Sequence, residues 1–64
     1  MEVKVGDKFI ALKGMDHIEE NDWVMIREID EYKDYLEFVS ILTGKRFGMG
    51  VRMFADYFKE DVKK

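Results

Sequence analysis

The 64-residue chain contains no cysteine, and this pairing of small size with no thiol limits what it can fold into. A domain of this length buries only about 60% of the surface its unfolded chain exposes, so small scaffolds often add disulfides or a structural metal. Here disulfides and thiolate zinc sites are excluded, and the single histidine, His17, excludes a multi-histidine site within one chain. No cofactor is expected. The fold must rest on packing, with a partner or a homodimer interface as the available supplement.

The apolar supply suits that task. Hydrophobic residues make up 47% of the chain, with five Phe, three Tyr and one Trp, against 39% charged residues and no proline. This mixture describes one compact domain with a solvated surface rather than a linker or disordered segment. No apolar run approaches the roughly 20 residues of a membrane span, and the N-terminus lacks a signal-peptide pattern, so a cytoplasmic protein is expected. Charge is segregated. Residues 1–15 sum to +1, residues 16–37 to −7 and residues 38–64 to +3, giving the net −3 of the whole. A dedicated nucleic-acid binder is usually basic overall.

Turn signals divide the chain into five segments. Residues 3–12 read as a first strand, interrupted by the Gly6-Asp7 turn or bulge signal. A polar connection with an inward Ile18 leads to a second strand over 23–29, with Val24 and Ile26 inward. Ile29 falls out of that register, which calls for a β-bulge or a curled strand. After a turn at 30–34, residues 35–42 form a third strand with Leu36 and Phe38 facing the core. Thr43-Gly44 suggests a tight hairpin into a fourth strand over 45–51, whose Gly48 and Gly50 suggest curvature or close backbone approach. Val51, Phe54, Ala55, Phe58 and Val62 then fall on one helical stripe, predicting a helix over 51–62 with Gly50 as its N-cap and Lys63 and Lys64 at its C-terminal end.

The fold class expected is therefore mainly β, with a curled antiparallel sheet closed by a C-terminal helix. Val5-Gly6-Asp7-Lys8-Phe9, Trp23-Val24-Met25-Ile26, Thr43-Gly44-Lys45-Arg46-Phe47, and Phe54 with Tyr57 and Phe58 together resemble the small SH3-like barrels of short bacterial and bacteriophage open reading frames. That resemblance implies a binding module in a bacterial or phage-infected cytoplasm and identifies no ligand. It also leaves a simpler four-stranded sheet with one packed helix as an alternative.

Catalysis finds little to work with. Ser40 sits mid-strand without an activating base in its sequence neighbourhood, Thr43 lies in a turn, and His17 lies in an acidic loop. The loop Asp16-His17-Ile18-Glu19-Glu20-Asn21-Asp22 offers oxygen ligands but lacks calcium-loop spacing, and reads as a solvated segment. Trp23, Met25, Tyr32 and Tyr35 form the candidate protein-binding set, rimmed by Glu31 and Asp34, since the core is supplied by other residues and exposed aromatics favour interfaces. For Trp23 the alternative is a second core layer. Lys45, Arg46 and Arg52 with Phe47 form the candidate nucleic-acid set, cations for phosphates and one ring for stacking; the alternative is an ordinary hairpin with solubilising charges. The acidic run from Asp16 to Glu37 is too weakly charged for a mimic of the DNA backbone. The function expected is a non-enzymatic protein-binding module, with weak nucleic-acid binding or a homodimeric structural subunit as alternatives.

Overall fold

The computed structural model describes residues 3–15 and 17–60. Five strands and one helix follow in the order β1 (Lys8–Ala11), β2 (Trp23–Asp30), β3 (Tyr35–Ser40), β4 (Arg46–Gly50), α1 (Val51–Tyr57) and β5 (Phe58–Glu60). They form one antiparallel sheet ordered β4-β3-β2-β1-β5. The sheet is open, with β4 and β5 at its edges and α1 joining them. No described helix is long and apolar enough to cross a membrane.

Alternation places the core on one face. Phe9 and Ala11 of β1, Val24 and Ile26 of β2, and Leu36, Phe38 and Ser40 of β3 are all buried. Phe54 of α1 and Phe58 of β5 complete this layer. The Phe54 ring lies 4.8 Å from Phe9, 5.2 Å from Phe38 and 4.5 Å from Phe58, so it joins both ends of the sheet. Ile18, from the β1–β2 connection, is buried beside them as its sequence suggests. That connection is pinned by a bridge between Met15 and Ile18 and by Asn21 in the left-handed region at φ 70°.

The register of β2 explains Ile29. Ile26 pairs with Phe38 and Glu28 with Glu37, so Arg27 is an extra residue on β2, and Ile29 returns to the inner face opposite Leu36. Of the two readings the sequence allows, the bulge is the one realised. The Gly6-Asp7 signal is also a real turn. Gly6 has φ 95°, Lys4 N–H donates to the Asp7 carboxylate at 2.9 Å, and Gly6 N–H donates to the Ile26 carbonyl at 2.8 Å. The turn is thus docked on β2, and regular strand begins only at Lys8.

The expected boundaries of all four strands and of the helix shift, most of all at the C-terminal end. The helix ends at Tyr57 instead of residue 62, and Phe58–Glu60 pairs with β1 as a fifth strand, Ala11 opposite Phe58 and Phe9 opposite Glu60. Gly50 does occupy the N-cap, but without a side chain to bond the first turn. No acidic residue lies in the first turn and no basic residue in the last, so the helix has little to extend it. The open edge of β1 offers hydrogen bonds that a longer helix would forgo. Ala55 is exposed rather than on a buried stripe. Val62, Lys63 and Lys64 lie outside the described residues.

At the β3–β4 hairpin, strand pairing stops at Ser40 and Lys45, leaving a four-residue loop over 41–44 in place of a two-residue Thr43-Gly44 turn. Gly44 supplies the left-handed conformation at φ 76°, and its N–H donates to the Ser40 carbonyl at 2.7 Å. This register sets Phe38 opposite Phe47 on the inner face, their rings 5.8 Å apart. Ile41 and Leu42 are consequently exposed instead of extending the strand.

Candidate functional site

The four residues of the candidate protein-binding set do not form one patch. Trp23 and Met25 lie on the outer face of β2, as alternation requires, but Tyr35 pairs with Asp30 at the far end of that strand. Seven residues of strand separate Trp23 from Asp30, roughly 23 Å. Tyr32 stands at the tip of the β2–β3 turn, almost fully exposed, where Lys33 N–H donates to the Asp30 carboxylate at 3.1 Å. The neighbours of Trp23 are different ones: it shares a shallow depression with Leu42 and the acidic residues Glu19, Glu20 and Asp22. Trp23 is 39% exposed, so it is neither a core residue nor a free one.

Tyr35 has a defined structural task. A Cβ built on Gly48 would fall on its hydroxyl and within 2.7 Å of its ring carbon Cζ, so the phenol lies directly over the glycine of the neighbouring strand. The absent side chain at Gly48 leaves the space that the ring fills. Beside it, Glu28, Asp30 and Glu37 with Lys33 line a predominantly acidic depression on the outer face.

The candidate nucleic-acid set is divided by strand alternation. Arg46 faces outward, while Phe47 points to the inner face against Phe38. Lys45 precedes the strand and Arg52 is on α1, both exposed. The ring meant for stacking is therefore on the opposite face of β4 from the nearest guanidinium.

Ser40 is fully buried, and its hydroxyl donates to Asp22 Oδ2 at 2.9 Å. Ser40 Oγ in turn accepts from Thr43 N–H at 3.3 Å, while Asp22 Oδ1 accepts from Trp23 N–H at 2.8 Å. This small network ties the start of β2 to the β3–β4 loop. Among the described residues, no group of three or more His, Asp or Glu is placed to hold a metal ion.

Sequence reasoning did not find one apolar concave surface. A groove of about 500 Å³ runs between the β1–β2 connection, the inner face of β4 and α1, lined by Met15, Ile18, Phe47, Met49, Met53 and Tyr57 over a floor of Phe38. Three of the five methionines of the chain meet here. Their flexible thioethers suit a surface that adapts to what it contacts. Met53 is 51% exposed on the groove wall. Lys13 extends over the Tyr57 ring, its Nζ 4.4 Å from the centroid, and adds a charge at one end. The only sequence signal for this groove was the methionine count, and the three residues are too far apart in the chain to be grouped without the fold.

The groove opens along a strand edge, since exposed Gly48 also lines it. Ser40 N–H donates to the Lys45 carbonyl and Val51 N–H to the Asp34 carbonyl. With Phe38 opposite Phe47 and Leu36 opposite Met49, antiparallel alternation aims the backbone groups of Phe47 and Met49 at β3. Those of Arg46 and Gly48, and the N–H of Gly50, point away from the sheet, while the Gly50 carbonyl, at the N-cap, accepts the first bond of α1. Among the described residues, no backbone bond outside the regular ladders involves Arg46 or Gly48.

The chain matches no protein-family model, no curated protein and no solved structure.

Proposed function

We infer that this chain is a small non-catalytic protein-binding module that receives an extended segment of protein along β4. The reading rests on one juxtaposition: a strand edge, unpaired among the described residues, opening onto the methionine-lined groove. Strand addition uses such an arrangement, with main-chain hydrogen bonds for affinity and pockets for alternate side chains for specificity. The other edge is poorly suited, because β5 has three residues and exposes Lys59 and Glu60. The SH3-like resemblance belongs to this same reading. It is supported by the strand order and by a short helix between the fourth and fifth strands. A cytoplasmic setting follows from that resemblance.

The nucleic-acid alternative has less support, because Phe47 and Arg46 face opposite sides of β4. The outer-face set centred on Trp23 remains a rival protein-binding surface, and one experiment separates the two. Affinity capture from cell lysate is run with the wild type, Met53→Lys and Trp23→Ala as parallel baits. The groove reading expects a specifically captured protein to be retained by Trp23→Ala and lost with Met53→Lys. Both substituted side chains are substantially exposed, and circular dichroism establishes that each variant is folded. Undiminished recovery on Met53→Lys contradicts the reading.

A further inference from the structure

We propose that the segment received by β4 is the β4 strand of a second copy, making a two-fold dimer with a continuous ten-stranded sheet. This rests on the strand-edge reading above and names its occupant. The strand Arg46-Phe47-Gly48-Met49-Gly50 is close to self-complementary about its middle residue. Antiparallel pairing centred on Gly48 is the register in which all five residues overlap. It sets Gly48 against the partner's Gly48, Phe47 against the partner's Met49 and Arg46 against the partner's Gly50.

Three observations agree with that register. The first is hydrogen bonding. Every second opposed pair must direct its backbone groups outward, and Arg46, Gly48 and the N–H of Gly50 are the groups that do. The Gly48 pair exchanges two bonds, and each Gly50 N–H meets the carbonyl of the partner's Arg46. The second is packing. Phe47 and Met49 share the inner, groove-lining side of the strand, so each ring meets a thioether across the two-fold axis, a favourable combination.

The third is charge. Arg46 lies on the outer face opposite a residue with no side chain, which leaves its guanidinium free to cross the partner's Gly50. Beyond that glycine the partner's own register places its Tyr35, with Asp30 on the next strand and Glu37 one step along. With strands about 4.8 Å apart, the Arg46 side chain spans the partner's β4 and reaches the tyrosine ring that leans over it, with Glu37 at the margin of the acidic depression also in range. A cation meets an aromatic ring and a carboxylate, and two-fold symmetry makes the contact twice. The two Arg46 residues themselves stay at opposite ends of the paired strands.

Sedimentation velocity over a concentration series, ending near 1 mM where association becomes very weak, tests the proposal directly. The wild type is expected to move from one to two chains' mass, and Arg46→Glu to weaken the association at least about tenfold. Cysteine cross-linking tests the register, since the chain supplies no thiol of its own. Arg46→Cys mixed with Gly50→Cys should form a disulfide dimer on mild oxidation. Each variant alone should not, because like positions lie roughly 13 Å apart in this register, beyond disulfide reach. A chain that stays monomeric throughout, a dimer indifferent to Arg46→Glu, or equal cross-linking by the single variants overturns the proposal. A monomer that still loses a captured protein with Met53→Lys would refute the dimer and leave the groove reading standing.

Discussion

Ser40 shows how a single hydroxyl can hold two loops. Among the described residues it is the buried polar side chain of the core, and its partners come from the residue just before β2 and from the β3–β4 loop. Removing it strips the Asp22 carboxylate of a donor and Thr43 N–H of an acceptor in a partly buried place. Ser40→Ala should cost about 1–2 kcal/mol, with the melting temperature falling by roughly 4–8 °C for each kcal/mol in a domain of this size. Thermal melts followed by circular dichroism measure this. A variant melting with the wild type would show that the network contributes nothing. Alternation with Leu36 and Phe38 puts Ser40 on the inward face of its strand, but its partner Asp22 lies 18 residues away in a loop read only as solvated acid. Tyr35 illustrates the same limit. Its place on the outer face follows from alternation, whereas its hold over Gly48 depends on a cross-strand register that the hairpin residues did not specify.

At the level of elements, local pattern was most informative where one physical demand dominated. The inward positions of β2 and β3 are set by alternation, and Gly6 and Gly44 mark backbone conformations that side chains disfavour. The segment after Tyr57 was ambiguous because two demands coincide. Phe58 completes a helical stripe with Phe54, yet the same residue reaches the same core as the first position of β5. Edge pairing with β1 decided the matter, and no local pattern reports that a distant strand lacks a neighbour. Lys59 separates the two outcomes, because it faces outward opposite Ile10. Lys59→Val should raise stability by about 0.5 kcal/mol in a strand, where a β-branched side chain packs across the pair. In a helix the same change should lower it. A fall in the melting temperature would argue that helix continues through this position.

For the whole molecule, the outcome is a sheet that is covered without being closed. All five phenylalanines gather in one cluster, with Phe54 bridging β1 to β3 and stacking on Phe58, so the C-terminal segment seals one side of the core. On the other side β4 remains an edge, and the methionine groove opens beside it. The supply of core residues and the β-rich class were legible in composition and alternation. The groove was not, since it is assembled from the β1–β2 connection, β4 and α1, and its existence depends on which strands fail to meet. An unpaired edge beside an apolar groove is the feature from which both the binding reading and the two-fold pairing follow.

Residue-resolved amide hydrogen exchange by NMR, at a concentration low enough to keep the chain unassociated, tests that feature most directly. The account predicts alternating protection along β4: Phe47 and Met49 amides exchange slowly because they bond to β3, while Arg46 and Gly48 exchange quickly because they face solvent. Equal, strong protection of all four amides in the monomer would mean that β4 already has a neighbour on both sides, and the open edge would not exist.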